Sequence, residues 1–238
     1  PTVYALTNTE SVDVALPFSF PLSIVHGSDV NLIISDCSSV EDRLAWERFV
    51  LNQEGSTGYH LYSWRNVINE VFGHETIYLM GKNESGEVFG VAPLVILSSQ
   101  LFGRFLISLP FLNYGGILTT NLEVRVSLEA YLEDLAASKQ VDYVELRQQN
   151  VVATSWVRSE RKVSMRLPIP ASYEELVKGF PSKLRSQVRR AQKEGMTSRV
   201  GGTECLDEFY TVFSRCMRDL GTPVYAKGFF AKILEVFP

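Results

Sequence analysis

Three strand-forming runs stand next to one another with no helix between them, at residues 76–81, 88–97 and 104–109. Ser85-Gly86 supplies the turn between the first two. The middle run is the longest apolar stretch of the chain and contains Gly90 and Pro93. It is far short of the roughly 18–20 apolar residues that cross a bilayer, so it reads as a buried strand. Helical patterns flank this triplet. Before it, a β-branched strand at 30–35 leads to a helix from Val40 to about Asn52, opened by Ser38 and Ser39 with Asp42 in its first turn. A Gly-Ser-Thr-Gly loop follows, then a helix at 62–72 that ends at Gly73. After the triplet come the glycine-rich segment Asn113-Tyr114-Gly115-Gly116, a helix at 122–138 and a strand at 141–147. Val124, Leu128, Tyr131, Leu135 and Ala136 share one face of that helix. The order strand, two helices, three strands, helix, strand places the chain in the α/β (α+β) class.

The opening of that order then recurs. A strand at 162–169 precedes helices at about 172–179 and 182–194, followed by a short strand near 197–200. A helix from about Cys205 to Leu220 carries Leu206, Phe209, Tyr210, Phe213, Met217 and Leu220 on a face expected to be core, and Gly221 and Pro223 close it. Phe229, Phe230, Ile233, Leu234 and Phe237 make a last apolar helical pattern. The organisation expected is an extended leader at 1–27, a first domain at 28–160 and the start of a second, incomplete domain at 161–238.

In a chain of 238 residues, a net charge of −4 argues against a general nucleic-acid coat or a membrane-surface protein, both of which attract by positive charge. Cys37, Cys205 and Cys216 are odd in number and lack ligand spacing, which favours reduced, buried thiols in a cytoplasmic setting. His26, His60 and His74 are too scattered to propose a metal site. Against the acidic whole, residues 182–194 form a basic amphipathic helix. Leu184, Val188 and Ala191 make its apolar stripe, and Arg185, Arg189 and Lys193 recur on the adjacent one. With Lys183 and Arg190 elsewhere, only Glu194 opposes the positive charge, a pattern that suits an anionic partner as well as a solvated face.

The string Lys183-Leu184-Arg185-Ser186-Gln187-Val188-Arg189-Arg190-Ala191 resembles the K-x-R-x-x-I-R-K-A helix of the FemAB-type acyltransferases, built from two tandem GNAT (N-acetyltransferase-like) domains. The stretch from Phe209 to Met217-Arg218-Asp219-Leu220-Gly221 adds to it. Further strings are similar to the FemAB-related proteins associated with exosortase (PEP-CTERM) and exopolysaccharide loci. They are Tyr59-His60 through Trp64, Ser108-Leu109-Pro110-Phe111 with Asn113-Tyr114-Gly115-Gly116, Val144-Glu145-Leu146-Arg147, and Arg218-Asp219-Leu220-Gly221-Thr222-Pro223. The resemblance covers nearly everything after residue 28. It implies a cytoplasmic enzyme that forms an amide bond on a cell-envelope or exopolysaccharide-related amine. The donor implied is a co-substrate, aminoacyl-tRNA or acyl-CoA, with no bound cofactor. The partners implied are a phosphorylated glycan or peptidoglycan-type precursor, and tRNA. The segment at 113–118 departs from the R/Q-x-x-G-x-G/A turn that cradles the pyrophosphate of coenzyme A at a helix start, so coenzyme A is not expected there in the usual way.

Lys183, Arg185, Arg189 and Arg218 are the phosphate-binding candidates, because guanidinium pairs bidentately with phosphate. For Arg218 the rival is an ion pair with Asp219 or Glu208. Asn113, Tyr114, Gly115 and Gly116 are candidates for close backbone approach to substrate, or else a tight connection. His60 and Glu145 are the weak catalytic candidates. Capping or stacking near Trp64 is the simpler account of His60, and pairing with Arg147 that of Glu145. Trp46, Trp64 and Trp156 are expected to pack only. The rival to the enzyme is a non-catalytic GNAT pair that binds a phosphorylated glycan or RNA as an assembly factor.

Overall fold

The computed structural model of the chain describes residues 2–6, 32–149, 154–159 and 165–237. Strands β1 (Thr2–Leu6), β2 (Ile33–Asp36), β3 (Glu75–Lys82), β4 (Val88–Ser99), β5 (Gly103–Ile107), β6 (Tyr143–Arg147) and β7 (Val157–Ser159) form one mixed sheet, ordered β2-β3-β4-β5-β6-β1-β7. Pairing is antiparallel from β2 to β5 and parallel from β5 to β7. Helices α1 (Val40–Asn52), α2 (Trp64–Phe72) and α3 (Leu122–Ser138) complete the first unit, which spans Pro1–Val163. From β2 to β6 the elements follow the order expected from the sequence.

Alternation along the strands separates two cores. Ile77, Leu79, Leu94, Ile96, Leu106, Val144 and Leu146 face α3, meeting Val124, Leu128, Leu132 and Ala136. Tyr78 and Met80 point the other way, where Trp46 of α1 stacks on Tyr78 at 5.0 Å and Val67 and Ile68 of α2 are buried. Arg65 of α2 ties that layer to the sheet edge, donating to Asp36 (3.0 Å), Thr76 Oγ1 (3.1 Å), Tyr62 Oη (3.0 Å) and the Cys37 carbonyl. Burial pushes the Cys37 thiol up to about 11, which keeps it protonated and unreactive. The three thiols are not all buried as expected, because Cys216 is exposed.

Helix starts obey the expected chemistry. Ser39 Oγ accepts from Asp42 N at 2.9 Å, and Asn121 Oδ1 accepts from Glu123 N (2.8 Å) and Val124 N (3.2 Å). Two differences concern strands. Thr2–Leu6, expected in a leader, lies between β6 and β7 and is parallel to both. Its run is short, and its partners are far away in sequence, so nothing local announces it. The strand β7 was not anticipated for the same reason.

The second unit, Ser164–Pro238, is helical among its described residues: α4 (Tyr173–Gly179), α5 (Ser182–Lys193), α6 (Leu206–Asp219) and α7 (Lys227–Val236). Gly195 takes the left-handed conformation (φ 75°) just past α5, as its position predicts. The expected strand at 162–169 falls partly outside the described residues, and 165–169 form no strand. Nor do residues 197–200. Met165, Leu167 and Ile169 alternate as a strand would, yet all three are exposed. Such a pattern becomes a strand only beside another that takes up its backbone hydrogen bonds. The α6 face expected to be core is largely open. Leu206 is buried and Leu220 exposed, while Phe209 and Phe213 pack on Phe230 of α7 at 5.2 and 5.1 Å.

Candidate functional site

The parallel pair β5/β6 is the point where the sheet changes direction, and there the β5 chain leaves its ladder. Ile107 stands opposite Val95 of β4, whereas Leu118 bridges Val91, so eleven residues on one side span four on the other. The excursion begins at Ser108. Ser108 N donates to Glu145 O at 2.9 Å, but the next β6 amide, Arg147 N, donates to the Ser108 side chain at 2.7 Å. The chain returns at Gly116, whose N–H reaches Arg147 O at 3.2 Å, and at Leu118, which exchanges both bonds with Val91. Ligands of open sheets gather outside the carboxyl ends of parallel strands, and that is the end at which β5 and β6 part.

Three basic side chains from three elements hold carbonyls of the excursion. Arg147 Nη1 of β6 donates to Leu112 O (2.7 Å), His60 Nε2 to Gly116 O (3.3 Å), and Arg125 Nη2 of α3 to Ile117 O (3.1 Å). The backbone inside is strained: Leu109 (φ 47°) and Phe111 (φ 76°) adopt left-handed conformations that cost L-residues about 1–2 kcal/mol each. Pro110 between them was the visible signal, since proline interrupts a strand. Gly115 (φ 138°) has Leu109 packed where a Cβ would point, so glycine is required there. Phe111 stacks on Phe72 at 4.2 Å and lies 5.9 Å from His74, while Tyr114 lies 6.0 Å from Tyr59, itself 6.2 Å from Trp64. The excursion is thus fastened by charge, hydrogen bonds and aromatic contact.

His60 sits in a short 3₁₀ turn (Gly58–His60) and is 6% exposed. Thr57 N donates to its Nδ1 at 3.2 Å, which leaves the ring proton on Nε2 for Gly116 O. Desolvation lowers its pKa to about 4, so it is neutral near pH 7 with both nitrogens engaged. The ring closes its own 3₁₀ turn and does not cap the helix that follows, whose start has no side-chain cap bond. Glu145 Oε1 accepts from Arg147 Nε at 2.8 Å, the pairing weighed against catalysis. Sequence reasoning had Ser108 only as part of a string, with no role, and missed Arg125 altogether. Arg125 is buried and paired with Glu129 at 3.8 Å; burial lowers its pKa and raises that of Glu129, whose other oxygen accepts from Thr154 (2.9 Å). The i, i+4 spacing of that pair on the buried side of α3 was its only trace.

Among the glycine-rich residues, Gly115 and Gly116 are buried, Tyr114 is half-buried and Asn113 is exposed. A Cβ on Gly116 would fall 2.4 Å from the Gln148 side chain, so no room remains beside it. The α3 start beyond is capped from within by Asn121, with the acidic Glu123 in its first turn.

The phosphate candidates all lie in the second unit. Arg185 Nη1 donates to Phe180 O (2.8 Å) and Lys178 O (3.3 Å), closing the carboxyl end of α4. Arg218 pairs with Asp219 at 2.9 Å and Arg190 with Glu194 at 2.7 Å. Lys183 and Arg189 are exposed, with no ion pair or hydrogen bond to any described residue. Among the described residues, no His, Cys, Asp and Glu cluster could hold a metal ion, and no helix is long and apolar enough to cross a membrane.

No protein-family model matches the chain. No curated protein matches it either. Among solved structures it is similar to one described as "Putative acetyl transferase from Pyrococcus furiosus", at 12% identity and a TM-score of 0.31, covering 72% of this chain and 96% of that one. A superposition that loose fixes neither fold nor chemistry.

Proposed function

We propose that the chain is an acyltransferase of GNAT type, forming an amide bond on an amine of a cell-envelope or exopolysaccharide precursor. The donor is an aminoacyl-tRNA or an acyl thioester. What supports this reading is the parting of β5 and β6 at Ser108 and Arg147, together with an element order like that of a GNAT unit and the FemAB-like strings. The parted pair would seat an extended acyl chain beside the carboxyl end of β6, where the Arg147 amide and carbonyl are held in place by Ser108 Oγ and Gly116 N. Held there, the acyl carbonyl is attacked by the amine nitrogen; the C–N bond forms, the thiolate or tRNA oxygen leaves, and the amine proton passes out. Positioning carries most of the rate gain, and no enzyme-bound intermediate is needed. The Asn121-capped α3 start, with acidic Glu123 in its first turn, argues for a donor that does not rest a pyrophosphate there.

A specific observation favours the rival, a binding module: both acid–base candidates, His60 and Glu145, are fully engaged in holding structure. The experiment is turnover with acyl-CoA and aminoacyl-tRNA panels against hexosamine and peptidoglycan-type amines. Release of thiol or uncharged tRNA is followed together with the mass of the acceptor. Acyl transfer that falls at least about tenfold in Arg147→Met, with the fold retained, is expected. Binding of phosphorylated glycan without turnover of any donor supports the rival.

A further inference from the structure

The β4–β5 hairpin ends in two adjacent apolar side chains, Leu101 and Phe102, that are 81% and 73% exposed. Their display is fixed rather than incidental. Ser99 Oγ accepts from Leu101 N (3.3 Å) and Phe102 N (3.2 Å), so the turn is closed by a side chain beneath them. At the base, Gly103 (φ 97°) lies against Asp142, whose Oδ2 accepts from Arg104 N at 2.8 Å while Asp142 N donates to Arg104 O at 2.7 Å. A Cβ on Gly103 would stand 2.2 Å from that carboxylate. Arg104 and Lys139 both reach Glu75, at 3.4 and 2.6 Å, so the charges around the base balance.

We propose that this tip is an interfacial anchor, inserting Leu101 and Phe102 into the headgroup–acyl boundary of a lipid bilayer. A protein interface of ordinary size needs about 800 Å² from each partner around a buried centre, which two residues flanked by Ser98, Ser99, Gln100 and Gly103 do not supply. A fluid apolar phase needs no complementary shape. Neighbouring large apolar side chains on one turn enter it together, with the aromatic ring at the interfacial level. Because the base is charge-balanced, attachment follows apolar area and not lipid charge. Two side chains give reversible, weak binding of the kind that needs a second signal to become stable. The anchor stands apart from the acyltransferase reading and holds whether or not the chain is an enzyme.

The test uses the full chain with Phe102→Trp and zwitterionic phosphatidylcholine vesicles, which leave the basic α5 without an anionic target. Trp46, Trp64 and Trp156 are buried and give a constant background. The expected result is a blue-shifted difference emission on adding vesicles, quenched by acyl-chain-brominated lipid. Leu101→Ser/Phe102→Ser should lose about tenfold or more of vesicle partitioning in sedimentation. Emission unchanged by vesicles, or partitioning unchanged in the double variant, overturns the proposal. A shift that grows with protein concentration without lipid assigns the tip to a second copy of the chain and overturns it equally.

Discussion

His60 couples the excursion to pH. Its folded pKa, about 4, lies below the ordinary 6.5, because burial disfavours the charged ring. Below pH 6.5 the unfolded chain therefore binds a proton that the folded chain refuses. The contribution is present in full above that pH and is lost as pH falls through 6.5 toward 4, amounting to about 3 kcal/mol. Protonation at Nδ1 would also turn the acceptor of Thr57 N into a donor, breaking the turn that aims Nε2 at Gly116. Urea unfolding at pH 7 and pH 4.5 should show a steep loss in the native chain. The loss should be much smaller in His60→Gln, which retains hydrogen-bonding capacity but does not titrate. Equal pH dependence in both would remove His60 as the cause. Glu47 and Glu129, both raised by burial, act in the opposite sense and cancel in the comparison.

At the scale of elements, α5 separates two uses of arginine that its sequence presents alike. Arg185 closes the end of α4 by hydrogen bonds to two carbonyls, whereas Arg189 one turn on is unengaged. Arg185→Gln should lower the stability of the second unit by about 0.5–1.5 kcal/mol, the worth of a helix-end hydrogen bond, and Arg189→Gln by almost nothing. Far-UV melting of the two variants checks this, and the reverse order would show that Arg185 is not a cap. Helix ends were legible from the sequence because their causes are local: Ser39 and Gly73 each act within one turn of their own position. The meander β3–β4–β5 was legible because neighbours in sequence pair. Strands β1 and β7 were not, since their partners are remote. Residues 165–169 carry a strand pattern that lacks a ladder. For the site, the strings containing Ser108, Glu145 and Arg147 were visible, but the register change that brings them together depends on β4 and β6 at once. The residues that fasten the excursion, Arg125 above all, read as ordinary helix positions.

The whole molecule pairs units of very different packing. The first buries Trp46, Tyr78, Leu79, Leu94, Leu106, Leu128 and Leu132 almost completely around its sheet. In the second, the buried hydrophobics among the described residues are Leu206 and Phe229, and neither α4 nor α5 buries any residue. Helices that short draw most of their stability from packing, so their amides should open locally, independent of the sheet. In hydrogen exchange followed by mass spectrometry, peptides covering β3, β4 and β6 should stay protected longest. Those covering α4 and α5 should exchange first, with α6 and α7 between, because the aromatic contacts of Phe230 hold that pair together. The exposed Met165, Leu167, Ile169, Val200 and Leu220 should bind an apolar dye in the same solution. If α4 and α5 prove as protected as the sheet, and no dye binds, then the stripe of Leu184, Val188 and Ala191 is covered in solution by another surface. The basic residues beside that stripe would then have to be reassigned from solvent to that interface.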